Sequence, residues 1–439
     1  MAPVTSTFRC ELIVKTLDLP FTFRTWGAKG EPMKRPAVVI LGAGFGGLTA
    51  ARALAKKANV TLIDRHNYQT FLPLLYQVST AGLAADHIAH PIRASLRGLP
   101  IRFRMGTPIA INHAQQSVML DSGEEFPFDH LIVALGSATA DFGIPGVREH
   151  TLGMKSIQEA LLIRGEIMRR FEDLCRFEDE TRLGISVVGG GPTGVEMAGA
   201  IAELIRGPLK GDESKAAAQM DIRIIEAGPR LLPSFSQSLS DRTAKDLEKL
   251  GVDVILNKAV QSVAPRKITF TNGEVVGSEI TIWAAGVQGE PTIEKLNLPI
   301  SRKRIDCLDT LQVKSHPNIW AIGDNAGAVD KNGNLYPMVA PVAMQQARHV
   351  AKQIVALSER RVLQPFRYKD KGSMATIGRH KAVVEVGPLR MAGIPAWYAW
   401  LWLHLIYLLG GRNKIGTMAD WTWNYLTYDR GNRHIMDGN

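Results

Sequence analysis

Cysteine is scarce in this chain. Only Cys10, Cys175 and Cys307 occur among 439 residues, and no two form a Cys-x-x-Cys pair. A redox dithiol, an iron–sulfur cluster and a zinc site are therefore not expected, whereas a reducing compartment is. No metal-ligating set is assigned. Long apolar runs are equally rare. Residues 394–409 come nearest to a membrane span, interrupted only by His404, and they fall short of the about 20 residues a spanning helix needs. An ion pump is excluded on this reading. No basic run is interleaved with aromatics and no helix-turn-helix pattern occurs, so the net charge of +10 does not point to nucleic acid. Residues 1–32 lack the continuous apolar core of a secretory signal, and Glu11, Asp18 and Glu31 argue against a transit peptide. Residues 1–35 read as an extension ahead of the fold, with a natural start at Met33, or as a short docked arm in which residues 12–14 and 21–23 pair as strands.

Glycine, in contrast, is plentiful, and two clusters of it stand out. The first is Gly42-Ala43-Gly44-Phe45-Gly46-Gly47; the second is Gly189-Gly190-Gly191-Pro192-Thr193-Gly194. Each follows a short apolar run, residues 37–41 and 185–188, and each opens a helix-like segment, residues 48–57 and 195–206. In such a fingerprint the first glycine makes a tight strand-to-helix turn and the second lets backbone approach a pyrophosphate. The third lets helix and strand pack closely, and the helix N-terminus faces the anion. Two fingerprints in one chain predict two bound dinucleotides.

Acidic residues sharpen this. The run 59–63 ends in Asp64, beside Arg65, at the spacing that suits a carboxylate accepting from ribose hydroxyls. The run 222–225 ends in Glu226, later than usual, which a loop over residues 207–219 would explain. A carboxylate there repels a 2′-phosphate and favours NADH over NADPH. Apolar runs then turn on Gly136 and on Gly286 at nearly equal distances after the two fingerprints, so one plan is used twice. A further strand, residues 318–322, ends in Gly323-Asp324. Asp324 can bond a ribityl hydroxyl, Gly323 lets the chain pass close, and the following helix can aim its N-terminus at the flavin. FAD at the first fingerprint, bound non-covalently, and NADH at the second are the expected cofactors. The expected fold is α/β, with two Rossmann-like domains in a glutathione-reductase-like arrangement. Residues 36–145 and 289–365 form the FAD domain, 146–288 the NADH domain, and 366–439 a C-terminal region.

That last region differs in composition. It holds five of the eight tryptophans, with ten Lys/Arg against five Asp/Glu. Aromatics with basic flanks suit helices lying in a lipid headgroup layer. Trp421, Tyr425 and Tyr428 share one helix face by spacing.

Residues 36–435 closely resemble the type II NADH:quinone oxidoreductases. Residues 41–53, 62–78 and 187–198 carry the likeness, together with Trp400, His404 and Arg412-Asn413-Lys414 in the tail. The segment Phe71-Leu72-Pro73-Leu74-Leu75-Tyr76-Gln77-Val78 is its most specific part. The resemblance implies a single-subunit respiratory enzyme on the cytoplasmic face of a bacterial inner membrane, compatible with a homodimer. It implies hydride transfer from NADH to FAD and two-electron reduction of a membrane quinone without proton pumping. It assigns catalytic roles to Glu196, near nicotinamide and flavin, and to Lys381, near the quinone. The family's quinone motif commonly reads Ala-Gln-x-Ala-x-x-Gln or a close variant. Here Pro341 replaces the first glutamine, and Gln345 is left as the candidate ligand. A sulfide:quinone oxidoreductase is the alternative, but it needs a pair of redox cysteines near the flavin.

Overall fold

The structure, a computed structural model, describes residues 35–176 and 182–435. The N-terminal extension and its two suggested strands lie outside the described residues.

Strand β1 (Ala37–Leu41) is apolar at every position and almost wholly buried. Such a run cannot present one face to water, so it becomes the centre of a parallel sheet covered on both sides. A glycine turn leads to helix α1 (Phe45–Leu54), and the chain returns as β2 (Asn59–Asp64) parallel to β1. Strand β3 (Ile101–Met105) extends that edge and β4 (His130–Val133) pairs on the other side of β1. After the long amphipathic helix α2 (Ile157–Arg176) the plan repeats. Strand β5 (Leu183–Val188), buried throughout, turns on glycine into α3 (Pro192–Leu204). Then β6 (Met220–Ile225), β7 (Val252–Ile255) and β8 (Ile280–Trp283) complete a four-stranded sheet of order β7-β6-β5-β8. Strands β9 (Gln312–Val313) and β10 (His316–Ala321) rejoin the first sheet, whose order is β9-β10-β4-β1-β2-β3. In both sheets the glycine turn lies where neighbouring strands diverge, the crevice that ligands occupy in open α/β sheets. Residues Ser137–Thr139 pair antiparallel with Val287–Gly289, so the segments leaving β4 and β8 are joined.

Two expectations are corrected. Residues 207–219 are not a loop. They form helical turns, Ile205–Leu209, Lys210–Asp212 and Ser214–Ala218, with Glu213 capping the last through the Lys215 N–H. The alanines favour helix and two of them, Ala216 and Ala217, are buried. Likewise the helix after Gly323-Asp324 does not begin there. A short turn, Gly323–Asn325, comes first, and α4 (Ala340–Ser358) starts well downstream.

The C-terminal region opens with a meander of β11 (Ser373–Gly378), β12 (Lys381–Val386) and β13 (Leu389–Ala392). Strand β11 lies directly on α3. Gly199 makes that possible, because a Cβ there would sit 1.8 Å from the Ile377 carbonyl oxygen. Helices α5 (Ile394–Tyr407) and α6 (Gly411–Thr427) follow. Among the described residues no helix is long and apolar enough to cross a membrane. Trp421 is half-buried and bonds Gln77, whereas Tyr425 stays exposed at the edge of the packed face while its ring meets His380 and Trp397. Tyr428 lies past the helix end in left-handed conformation, its ring against Arg379. Heptad-like spacing shows which residues share a face, not which side the core lies on. The outward face is instead Tyr398, Trp402, Ile406, Ile415, Met418 and Leu426, all exposed.

Candidate functional site

The two fingerprints are built alike. Gly42 has φ +98° and Gly189 φ +116°, values that L side chains rarely adopt. Gly47 and Gly194 close the helices onto those turns; a Cβ on either would fall 1.7 or 1.8 Å from the carbonyl oxygen of Gly42 or Gly189. Gly44 and Gly191, at the helix N-caps, have nothing within 4 Å of where a Cβ would stand. Each turn is thus closed on its inner side and clear on the side facing the helix N-terminus, as a pyrophosphate requires. Gly46 packs on Ile322, Thr193 is exposed in the first turn of α3, and Phe45 meets Phe71 edge-on at 5.8 Å.

The strand-end carboxylates are equivalent too. Asp64 accepts from the Ala43 N–H at 2.6 Å and the His66 N–H at 2.8 Å. Glu226 accepts from the Gly190 N–H at 2.6 Å and the Gly228 N–H at 2.7 Å. Each spans from the second residue of its fingerprint to the residue two places beyond itself, so each holds the rim of its turn as well as facing it. Burial pushes the Asp64 carboxyl up, against the pull of the two amides. Arg65 reaches outward to Glu290 at 3.5 Å.

Residues of the late Gly-Asp strand close on the first turn. Asn325 is fully buried, accepts from the Gly136 N–H at 3.0 Å and donates to the Val133 carbonyl. Asp324 accepts from the Ser137 hydroxyl at 2.7 Å, and the Lys155 ammonium donates to that hydroxyl at 3.3 Å. Burial lowers the Lys155 pKa while Asp324 and Glu159 draw it back up. Gly286 turns the chain after β8 with φ +73°. The glycine cradle, the clear helix N-terminus and the Asp324 cluster together fit FAD. The second cradle with Glu226 fits NADH.

Glu196 lies one turn into α3. The Thr376 N–H of β11 reaches its carboxylate at 3.4 Å. Burial pushes its carboxyl up to about 8, with Thr376 and the Trp400 indole partly opposing. Trp400 is itself buried, stacks on His404 at 3.9 Å and meets Tyr76 edge-on at 6.2 Å. His404 is pushed down to about 4 by burial, so it is neutral. Lys381 begins β12, and its carbonyl accepts from the Thr376 hydroxyl at 3.3 Å. The segment touching Glu196 therefore also positions Lys381.

Gln345 is not brought into this group. Its amide is used on both sides by one backbone residue, donating to the Lys369 carbonyl at 2.9 Å and accepting from the Lys369 N–H at 3.0 Å. It ties down the chain after α4. The neighbouring Gln346 is the buried one and accepts from the Gly323 N–H at 2.6 Å. Sequence reasoning also passed over Lys155, Ser137, Tyr76 and Gln77 as site residues. The last two stand inside the quoted 71–78 segment, which was the available signal.

Among the two described cysteines, Cys175 is exposed at the end of α2. Cys307 is buried in the first sheet's core with its thiol pushed up to about 12. These two described cysteines form no dithiol.

The fold and the paired cradles define a two-dinucleotide oxidoreductase, and residues 36–347 match the family described as pyridine nucleotide-disulphide oxidoreductase. The chain is 39% identical over 433 residues to the type II NADH:quinone oxidoreductase Ndh of Mycobacterium tuberculosis, covering 93% of this chain and 92% of that protein. It is 30% identical to the type II NADH:quinone oxidoreductase of Haemophilus influenzae, covering 86% and 95%. The solved structure of NDH2 from Plasmodium falciparum in complex with NADH has the same fold, with a TM-score of 0.82 at 23% identity, covering 92% of this chain and 100% of that one. The chain belongs to the type II NADH:quinone oxidoreductase family.

Proposed function

We propose that the protein oxidises NADH and reduces a membrane quinone by two electrons, without pumping protons, from the cytoplasmic face of a bacterial inner membrane. The observation that carries this is the pair of equivalent glycine cradles whose strand ends are joined through Ser137–Thr139 and Val287–Gly289. Bound at the first cradle, FAD would supply two-electron hydride-accepting and electron-donating chemistry. Gly42, Gly44, Gly46 and Gly47 would hold its pyrophosphate, Asp64 its adenosine ribose and Asp324 its ribityl chain. Gly189, Gly191, Thr193 and Gly194 hold the pyrophosphate of NADH, with Glu226 at its ribose.

Glu196 carries a proton at neutral pH, because its buried carboxyl titrates at about 8. It is placed to deliver that proton as charge builds on the acceptor. Lys381 adds a cation on the adjoining strand. The exposed apolar side chains of α5 and α6 suit a headgroup layer. Between the helices an open apolar groove of about 550 Å³ is lined by Tyr398, Ala399, Leu401, Trp402, Leu405 and Trp421, a surface that suits an isoprenoid chain. The test is NADH oxidation by the purified full chain with a short-chain quinone, with NADPH and sulfide as controls. Quinone-dependent turnover with NADH supports the reading; reduction by NADH with no electron passage to any quinone overturns it.

A further inference from the structure

Three side chains from two distant segments form one chain of hydrogen bonds that leads to the site. Trp421, on α6, donates its indole N–H to the Gln77 amide oxygen at 2.7 Å. Gln77 donates its amide nitrogen to the Tyr76 hydroxyl oxygen at 2.8 Å. An indole N–H can only donate, so the atom it meets has to be the amide oxygen. That fixes the orientation of the amide and turns its NH₂ toward Tyr76. The phenol oxygen is then an acceptor on the Gln77 side, and its own proton points away from Gln77.

Tyr76 is only 5% exposed. Its hydroxyl accepts from Gln77 and donates to no acceptor among the described residues. A buried O–H without an acceptor is costly unless a ligand supplies one. Trp400 links Tyr76 to Glu196, its ring meeting that of Tyr76 edge-on at 6.2 Å and its indole acting on the Glu196 carboxyl.

We infer that Tyr76 donates a hydrogen bond to a carbonyl oxygen of the quinone, and that Trp421 and Gln77 are positioning residues that keep its proton turned away from Gln77. The inference rests on the quinone reading above. The net reaction is NADH + H⁺ + quinone → NAD⁺ + quinol. The hydride brings two electrons and one proton, and solvent supplies the second proton through Glu196. Tyr76 keeps its own proton throughout, since burial above all holds the phenol well above its ordinary pKa. Its contribution grows as the quinone oxygen gains negative charge, which is how an aligned donor accelerates a step. Trp421 sits on a helix whose outer face is exposed and apolar, so the donor's direction depends on that helix being seated.

The experiment uses the full-length holoenzyme and separates the half-reactions by rapid mixing. Flavin bleaching by NADH is followed first, then recovery on adding a short-chain benzoquinone. Tyr76→Phe should bleach at the wild-type rate and recover at least tenfold more slowly. Gln77→Met and Trp421→Phe should each slow recovery about threefold to tenfold. Tyr76→Phe combined with Gln77→Met should be no slower than Tyr76→Phe alone, because Gln77 acts only through that hydroxyl. Recovery of Tyr76→Phe at the wild-type rate overturns the inference. So does a Gln77→Met effect that multiplies with Tyr76→Phe, or a parallel slowing of bleaching and recovery. Trp421→Phe, at a half-buried surface position, keeps the test available should Tyr76→Phe lose its flavin. A wild type that is bleached by NADH but never recovers with quinone sinks the functional reading itself, and this inference with it.

Discussion

Raising the pH through 8 should disable the proton supply at Glu196 while leaving the fold intact. Burial moves this carboxyl from 4.5 to about 8. At about 1.4 kcal/mol per tenfold, its surroundings favour the neutral form by about 5 kcal/mol relative to water. A group titrating at about 8 is roughly nine-tenths protonated at pH 7 and roughly one-tenth at pH 9. Quinone-dependent turnover limited by this proton should therefore fall about tenfold across that interval. The other groups packed against it do not mimic the limb. His404 titrates at about 4 and Tyr76 well above its ordinary value. Burial lowers the Arg430 pKa, and Glu203, paired with it at 3.2 Å, draws it back up. The assay is the rate of flavin recovery with a short-chain quinone between pH 6 and 9.5, in wild type and in Glu196→Gln. The variant should be slow and level with pH. A level wild-type profile, or the same limb in the variant, would refute the assignment.

Further outcomes follow from the same geometry. Because the folded protein binds the Glu196 proton more tightly than the unfolded chain, stability is lost as pH rises from about 4.5 to about 8; thermal melts should show wild type falling relative to Glu196→Gln across that window. Glu226→Gln should raise kcat/KM for NADPH by about tenfold, since a half-buried carboxylate opposing a 2′-phosphate costs roughly 1–3 kcal/mol; no gain removes Glu226 from the ribose site. Replacing both Trp402 and Leu426 by Glu should weaken binding to anionic vesicles by roughly 100-fold or more, each side chain being worth about 1.5–3 kcal/mol when buried in lipid, with NADH:dye activity retained; undiminished sedimentation with vesicles places the contact elsewhere. Gln345→Leu should cost about 1–2 kcal/mol in a denaturant melt through the lost Lys369 bonds and leave KM for quinone unchanged; a tenfold higher KM would return it to the quinone site.

What the sequence made legible was whatever is adjacent in the chain. Strand, glycine turn and helix are neighbours by covalent connection, so both cradles, Asp64, Glu226 and the late Gly-Asp could be read in order. Contacts between distant segments left no such trace. Lys155 meets Ser137 and Asp324 only after two sheets have formed. Tyr76 acquires its meaning from Trp421, which lies in the last helix. Gln345 and Gln346 are adjacent in sequence but point about 100° apart on a helix, and composition does not say which one faces inward. Spacing grouped Trp421 with Tyr425 on α6, but it did not show that Trp421 bonds Gln77 or that Tyr428 lies past the helix end.

Trp400 decides what kind of anchor the tail is. It is 1% exposed and sits within the core that also holds α3 and β5. Truncating a buried tryptophan to alanine alone costs roughly 3–5 kcal/mol, a large part of the roughly 5–15 kcal/mol that keeps a domain folded. Helices α5 and α6 are thus also bricks of the core that holds Glu196, and removing them should bring down what they are leaning on. A water-soluble form is to be sought by repainting Tyr398, Trp402, Ile415 and Leu426 with polar side chains, not by shortening the chain. For the same reason the exposed apolar surface of α5 and α6 and the proposed quinone site should not be exchangeable separately between relatives; a graft of one has to bring the other.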